Sequence, residues 1–171
     1  NNRVFGYSNE ELRKELGIRL NRELYLAYFI IYHTITEFYS DTASSTYAEF
    51  VRVEDVIRRV DDSITRIIDK QSGFVSDEVE ENSFQQIALS WDELPASTVD
   101  DQSGVRAARN SKSGFVKIVF NFLVGQTLLV ESQGRYYPTD RFRALVENYF
   151  DEFRGRLAEI MNTKEEEHAA D

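Results

Sequence analysis

The chain has 171 residues, of which 42% are hydrophobic and 13% aromatic, and its formal net charge is −10 at pH 7. This composition excludes an intrinsically disordered acidic protein. The negative charge argues against a free-standing, non-specific DNA-binding protein, which normally carries a basic surface. The sequence contains no cysteine, which excludes disulfides and thiolate metal sites and favours a cytoplasmic protein. It also shows no signal peptide and no apolar run near the roughly 20 residues of a membrane span.

The first part of the chain, residues 1–73, predicts an N-terminal helical region. Ser8 and Glu11 have the spacing of a capping box, so a short helix begins here and ends at Gly17. A longer helix is predicted over 21–39, because its apolar residues recur at helical spacing on most sides. This second helix is therefore expected to be the buried centre of the fold.

Two shorter helices are predicted, one that begins at Tyr47 or Val53 and ends at Val60 and one over 62–70, which completes the helical region. The next region, 74–111, combines an acidic segment with a flexible loop. Residues 74–103 carry eight acidic side chains and no Lys or Arg. A short helix with Phe84, Ile87 and Trp91 on its apolar side is expected within 83–94, before a proline ends it.

The pattern changes in 112–161, which reads as the C-terminal half of a winged helix. A helix over 113–126 leads to a β-hairpin over 128–138, and a second helix follows over 140–161, capped by the Thr or Asp at its start. The tail 162–171 is polar. The predicted fold class is mostly α-helical with a small β-hairpin wing, and the helix–hairpin–helix unit should lie on the second helix.

Positive charge is concentrated between residues 104 and 143, which carry seven basic residues and two acids. In a winged helix, the helix before the hairpin can enter the major groove while the wing contacts phosphate. Candidate DNA contacts are therefore Lys112, Lys117, Asn121, Arg135, Arg141 and Arg143. Alternatively, these cations form a solvated or protein-binding face that balances the acidic segment, and a phosphate-binding surface requires several of them on one side.

Aromatic residues on the last helix, Tyr149, Phe150 and Phe153, exceed what one small domain needs for its own core. They predict a surface for a dimer or another partner, with burial in the chain's own core as the alternative. The sequence predicts no catalytic residue, metal site or cofactor. His33 and His168 are the only histidines, and they lack the spacing of metal ligands.

Three short runs resemble the C-terminal winged helix of MukE-like proteins, the kite subunits of bacterial condensins and of the Wadjet plasmid-defence complex. These runs are FNFLVGQTLLV at 120–130, GRYY at 134–137 and TDRF at 139–142, followed by a long amphipathic helix. The opening VFGY at 4–7 and the block 25–39 are most similar to the Wadjet B subunit.

This resemblance implies a kite-like winged-helix architecture and a non-catalytic accessory subunit of an SMC-type complex. Such a subunit forms a homodimer, binds a kleisin that bridges an SMC ATPase, and assists the engagement of double-stranded DNA at the nucleoid. MukE-like chains usually carry two winged helices, so a second unit is expected before Asn1. The alternative function is a dimeric winged-helix transcription regulator, which binds specific DNA by itself.

Overall fold

A computed structural model describes residues 7–39, 48–71, 85, 87–96 and 109–162, and in parts of the helices Val53–Gln71 and Asp140–Asn162 only the backbone. These residues form a mostly helical structure with one two-stranded antiparallel sheet. In chain order the elements are α1 (Asn9–Leu16), α2 (Asn21–Phe38), α3 (Val53–Gln71), α4 (Lys112–Gly125), β1 (Leu129–Ser132), β2 (Arg135–Pro138) and α5 (Asp140–Asn162). The predicted fold class is confirmed at the level of a mostly helical chain with a small hairpin.

The N-terminal helix α1 has the ends that the sequence predicts. The Ser8 hydroxyl accepts the Glu11 N–H at 3.2 Å, and the Glu11 carboxylate accepts the Ser8 N–H at 2.7 Å. Both bonds satisfy backbone donors that a helix leaves free in its first turn. Gly17 follows the helix with φ of +68°, a left-handed conformation that costs glycine little. The buried residues Leu12 and Leu16 then fix α1 against the core.

Helix α2 is the centre of the fold, as its apolar pattern predicts. Side chains on nearly all its sides are buried, including Leu24, Tyr28, Ile31 and Phe38. The helices α1, α3, α4 and α5 all contact it. The prediction that the helix–hairpin–helix unit lies on this helix is therefore confirmed for α4 and α5.

Helix α3 is continuous, so the prediction of separate helices over 53–60 and 62–70 is wrong. The buried residues Val56, Val60 and Ile64 continue one helical period through the predicted boundary, so Asp61 and Asp62 lie inside the helix. Asp61 accepts hydrogen bonds from the Trp91 indole at 2.6 Å and from the Lys112 ammonium at 2.9 Å. The carboxylate thus has partners from distant parts of the chain, which a local pattern does not reveal.

Part of the acidic region is described. Residues 87–92 are helical, with Ile87 and Trp91 buried, and Pro95 follows, as predicted. The predicted partner Phe84 and most of the acidic segment and loop lie outside the described residues.

The C-terminal elements agree closely with the sequence. Two residues with positive φ, Gln133 at +52° and Gly134 at +75°, form the hairpin turn, as expected for a tight two-residue connection. The Glu131 carboxylate accepts the Gly134 N–H at 2.9 Å, which stabilises the turn. At the start of α5, the Thr139 hydroxyl accepts the Phe142 N–H at 3.2 Å, so Thr139 is the capping residue.

Candidate functional site

The hairpin is joined by a third backbone segment, residue Val51, just before α3. The Val51 N–H donates to the Tyr136 carbonyl at 3.0 Å, and the Tyr136 N–H donates to the Val51 carbonyl at 2.9 Å. This isolated antiparallel bridge places Val51 beside β2, on the side opposite β1. The first and last thirds of the chain therefore meet at this small sheet.

Side chains alternate between two faces of this sheet. Val51, Leu129 and Tyr136 are buried on the inner face, where the Tyr136 ring contacts Phe120 of α4 with centroids 4.6 Å apart. Burial, followed by the charges of Glu131 and Glu54, raises the pKa of Tyr136. The inner face is thus part of the core, and the residues on either side of Val51 and Tyr136 point away from it.

The outer face combines aromatic rings with arginines. The Phe50 and Tyr137 rings lie 5.8 Å apart. The guanidinium carbons of Arg135 and Arg52 lie 4.5 Å and 5.3 Å from the centre of the Phe50 ring. Both distances fit cation–π contacts. Val130, which pairs with Tyr137, is 54% exposed. We call these five residues the outer hairpin face.

Of the six predicted DNA contacts, Lys112 has an intramolecular role in the described structure. Its ammonium lies 2.9 Å from the Asp61 carboxylate and 5.2 Å from the centre of the Trp91 ring, and its side chain is 16% exposed. The Trp91 indole N–H donates to the same carboxylate at 2.6 Å. This Lys–Asp–Trp cluster fastens the start of α4 to α3 and to the helical segment 87–92.

The other predicted contacts on α4 lie on a narrow exposed strip. Lys117 and Asn121 are one helical turn apart, with Asn121 exposed and Lys117 half-buried. An adjacent side of α4 is covered by the N-terminal residues, since the Tyr7 and Phe122 rings lie 5.7 Å apart. The Gln126 amide at the end of α4 also donates to the Tyr7 hydroxyl at 2.8 Å. Most of α4 is therefore occupied by contacts within the chain.

The remaining predicted cations lie on other elements. Arg135 is on β2 and belongs to the outer hairpin face, while Arg141 and Arg143 are exposed in the first turn of α5. Arg143 lies 3.2 Å from Asp140, an exposed pair of small energetic value. The six predicted residues thus occupy three elements. Sequence reasoning missed Arg52 and Phe50, because the alternation in Phe50-Val51-Arg52 is too short to predict a strand.

The predicted partner surface on α5 is described only at Phe150. Its ring is half-buried and stacks on Tyr32 of α2, with centroids 6.1 Å apart and planes 13° from parallel. This contact supports the alternative in which the aromatic residue belongs to the chain's own core. The side chains of Tyr149 and Phe153 lie outside the described residues, so their role as partner contacts stays a prediction.

A charged groove of about 330 Å³ lies between α2 and α3. Its lining consists of three carboxylates and three guanidinium groups, from Glu37, Asp55, Asp62, Arg58, Arg59 and Arg66. Arg59 lies 2.5 Å from Glu37, and Arg58 lies 3.8 Å from Asp55. Because the charges of the lining balance, the groove does not single out an anionic or a cationic ligand.

His33 lies in the core, on α2. It is 6% exposed, and neither of its ring nitrogens has a hydrogen-bond partner among the described residues. The rings of Phe29 and Tyr32 contact it edge-on, with centroids 4.5 Å and 5.2 Å away. Burial, and then the positive charges of Arg59 and Arg66, lower its pKa to about 4. His33 is therefore neutral at physiological pH.

Among the described residues, no group of three or more His, Cys, Asp or Glu side chains has the arrangement of a metal site. None of the described helices is both long and apolar enough to cross a membrane.

Comparison with curated proteins finds no match, and comparison with solved structures finds none either. A family model described as a family of unknown function matches residues 1–168. The chain therefore belongs to the DUF6063 family.

Proposed function

We propose that this protein is a non-catalytic winged-helix subunit of an SMC-type complex that processes chromosomal or plasmid DNA. The observation that carries this proposal is the bridge between Val51 and Tyr136. With Val51 counted as a short strand, the elements follow in the order of a winged helix. That order is helix α2, the strand at Val51, helices α3 and α4, and the hairpin. The resemblance of 120–142 to kite subunits then favours an accessory subunit that binds a kleisin and an SMC ATPase.

The surroundings of α4 favour this subunit over a winged-helix transcription regulator. A regulator needs an exposed, polar helix to contact base edges in the major groove. Here α4 exposes only a narrow strip around Asn121, while Lys112 is held by Asp61. A subunit of a larger complex does not need to distinguish bases, so a mostly covered helix is compatible with that role.

Double-stranded DNA is proposed as a ligand of the assembled complex. Lys117, Arg141 and Arg143 are the predicted cations outside the Lys–Asp–Trp cluster and the outer hairpin face. With a net charge of −10, the isolated chain has to overcome repulsion to hold a polyanion, so partners supply most of the affinity. We also propose a homodimer and a location at the nucleoid, in keeping with the resemblance.

Reconstitution tests the assignment. The full chain is co-expressed with an SMC-like ATPase and a kleisin encoded beside it, and the products are separated by size with light scattering. A stable complex that contains a dimer of this chain is expected. If the protein stays apart from both and binds one DNA sequence tightly by itself, the regulator is the correct assignment.

Charge reversal tests the DNA contact in that complex. Lys117→Glu with Arg141→Glu is expected to weaken binding to all duplex sequences alike. Each lost phosphate contact reduces the slope of log affinity against log salt by about 0.9. Arg19→Glu with Arg22→Glu reverses two exposed cations elsewhere and makes the same change in net charge, so it serves as the control. Unchanged affinity and slope after the first pair of reversals would exclude these cations from the DNA surface.

A further inference from the structure

The outer hairpin face is ordered as two parallel rows across the sheet. The pairing of Val130 with Tyr137, and of Val51 with Tyr136, sets Phe50, Tyr137 and Val130 side by side in one apolar row. The same register sets Arg52 beside Arg135 in a second, cationic row. The rows are two residues apart along the strands, which corresponds to about 7 Å.

The two arginines of the cationic row are neighbours of like charge. Such a cross-strand pair is destabilising unless an anion lies between its members. Within the part of the chain that the structure describes, the guanidinium groups of Arg52 and Arg135 contact the Phe50 ring and make no ion pair. Asp55, three residues after Arg52, uses its carboxylate to accept the Arg52 backbone N–H at 2.8 Å.

We propose that the outer hairpin face docks an acidic, amphipathic segment of a partner protein. Apolar side chains of that segment cover Phe50, Tyr137 and Val130, and its carboxylates bind the guanidinium groups of Arg52 and Arg135. Arginine binds a carboxylate through two parallel hydrogen bonds, and a ring beneath it holds the planar group in place. Arginine and tyrosine are also the residues enriched where interfaces are strongest.

The charges around the face favour a protein over nucleic acid. Glu54 and Glu131 lie near enough to this sheet to raise the pKa of Tyr136, after the larger effect of burial. Both side chains are exposed, so their negative charge disfavours an extended row of phosphates around the hairpin. A peptide can place two carboxylates over the cationic row and its apolar groups over the parallel apolar row. The inference goes beyond the proposed function, because it does not require the partner to be a kleisin.

Peptide display on the immobilised full chain tests this inference, with a library of short random peptides as the probe. We expect enrichment of sequences in which Asp or Glu flanks apolar residues. The affinity of a selected peptide is then measured by fluorescence anisotropy. In Arg52→Gln/Arg135→Gln it is expected to fall by about tenfold or more, because two charge-assisted contacts are lost. Val130→Asp should weaken binding as well, since it adds a carboxylate to the apolar row.

A double variant with the same change in charge provides the control. Arg19→Gln/Arg22→Gln removes two exposed arginines outside the outer hairpin face, and it should bind the peptide as the wild type does. Thermal unfolding of all variants verifies that they are folded. The inference is overturned if no acidic sequences are enriched, or if the selected peptide binds Arg52→Gln/Arg135→Gln as tightly as the wild type. It is also overturned if a DNA duplex displaces the peptide and itself requires the two arginines.

Discussion

The two faces of the small sheet differ in how their side chains are satisfied, although they belong to the same few residues. On the inner face, Tyr136 and Val51 are buried against α4. On the outer face, Tyr137 and Arg135 alternate with them and contact only Phe50 among the rings of the described chain. The difference indicates that the inner face stabilises the fold, while Val130 and Arg135 on the outer face are exposed in the part of the chain that the structure describes.

Matched substitutions of two adjacent tyrosines test whether the two faces contribute differently to stability. Tyr136→Ala removes a ring that is 7% exposed and packs on Phe120, so we expect a loss of about 3–5 kcal/mol in the free energy of unfolding. Tyr137→Ala on the outer face is expected to cost about 1 kcal/mol or less. Urea denaturation measures both values. Equal losses would show that the outer face is as important to the fold as the inner one.

His33 is a buried polar side chain that has no hydrogen-bond partner among the described residues, so its contribution to stability should depend on pH. Its pKa falls from an ordinary 6.5 to about 4, so the unfolded chain binds a proton that the folded chain excludes between these values. Stability is therefore complete above this window and decreases as the pH falls through it, by about 2–3 kcal/mol near its lower end.

The substitution His33→Leu separates this effect from the titration of other groups. Leucine has no ionisable group and leaves no ring nitrogen unpaired, so the variant should lose about 2–3 kcal/mol less than the wild type between pH 7 and about 4.5. Urea midpoints at several pH values give the two curves. Parallel curves for wild type and variant would show that His33 does not contribute to acid sensitivity.

The smallest expected change in the free energy of unfolding concerns the Lys–Asp–Trp cluster. In this cluster Lys112, which the sequence predicted as a DNA contact, is paired with Asp61. Asp61→Ala leaves the buried Trp91 indole N–H and the Lys112 ammonium without their acceptor. We expect the free energy of unfolding to fall by about 1–2 kcal/mol, because a buried donor then lacks a partner. Asp62→Ala, its exposed neighbour, is the control. If Asp61→Ala is as stable as that control, Lys112 is free to act elsewhere.

Local signals in the sequence predicted the elements whose ends depend on neighbouring residues. The capping box at Ser8, the apolar pattern of α2 and the hairpin turn at Gly134 all act over a few positions, and each was confirmed. Interactions between distant residues were not predictable in this way. Asp61, for example, accepts hydrogen bonds from Trp91 and Lys112, which no helical period connects with it.

The outer hairpin face also depends on a contact between distant residues. Arg135 was predicted as a wing residue from the hairpin pattern alone, but its neighbour Arg52 comes from the other side of the acidic region. Only the pairing of Val51 with Tyr136 brings the two arginines together. A strand of one bridged residue is too short for periodicity to detect. The sequence therefore indicated the cation on the hairpin but not the pair.

The bridge at Val51 also has a consequence for how the chain folds. The hairpin can form by itself, since its strands are joined by two residues. Val51 can pair with Tyr136 only after the long chain segment between them has been closed into a loop, at an entropic cost. Contacts between residues so far apart in sequence slow folding. The bridge is thus expected to form late, when α3 and α4 are already in contact, and the outer hairpin face becomes complete only in a chain that has finished folding.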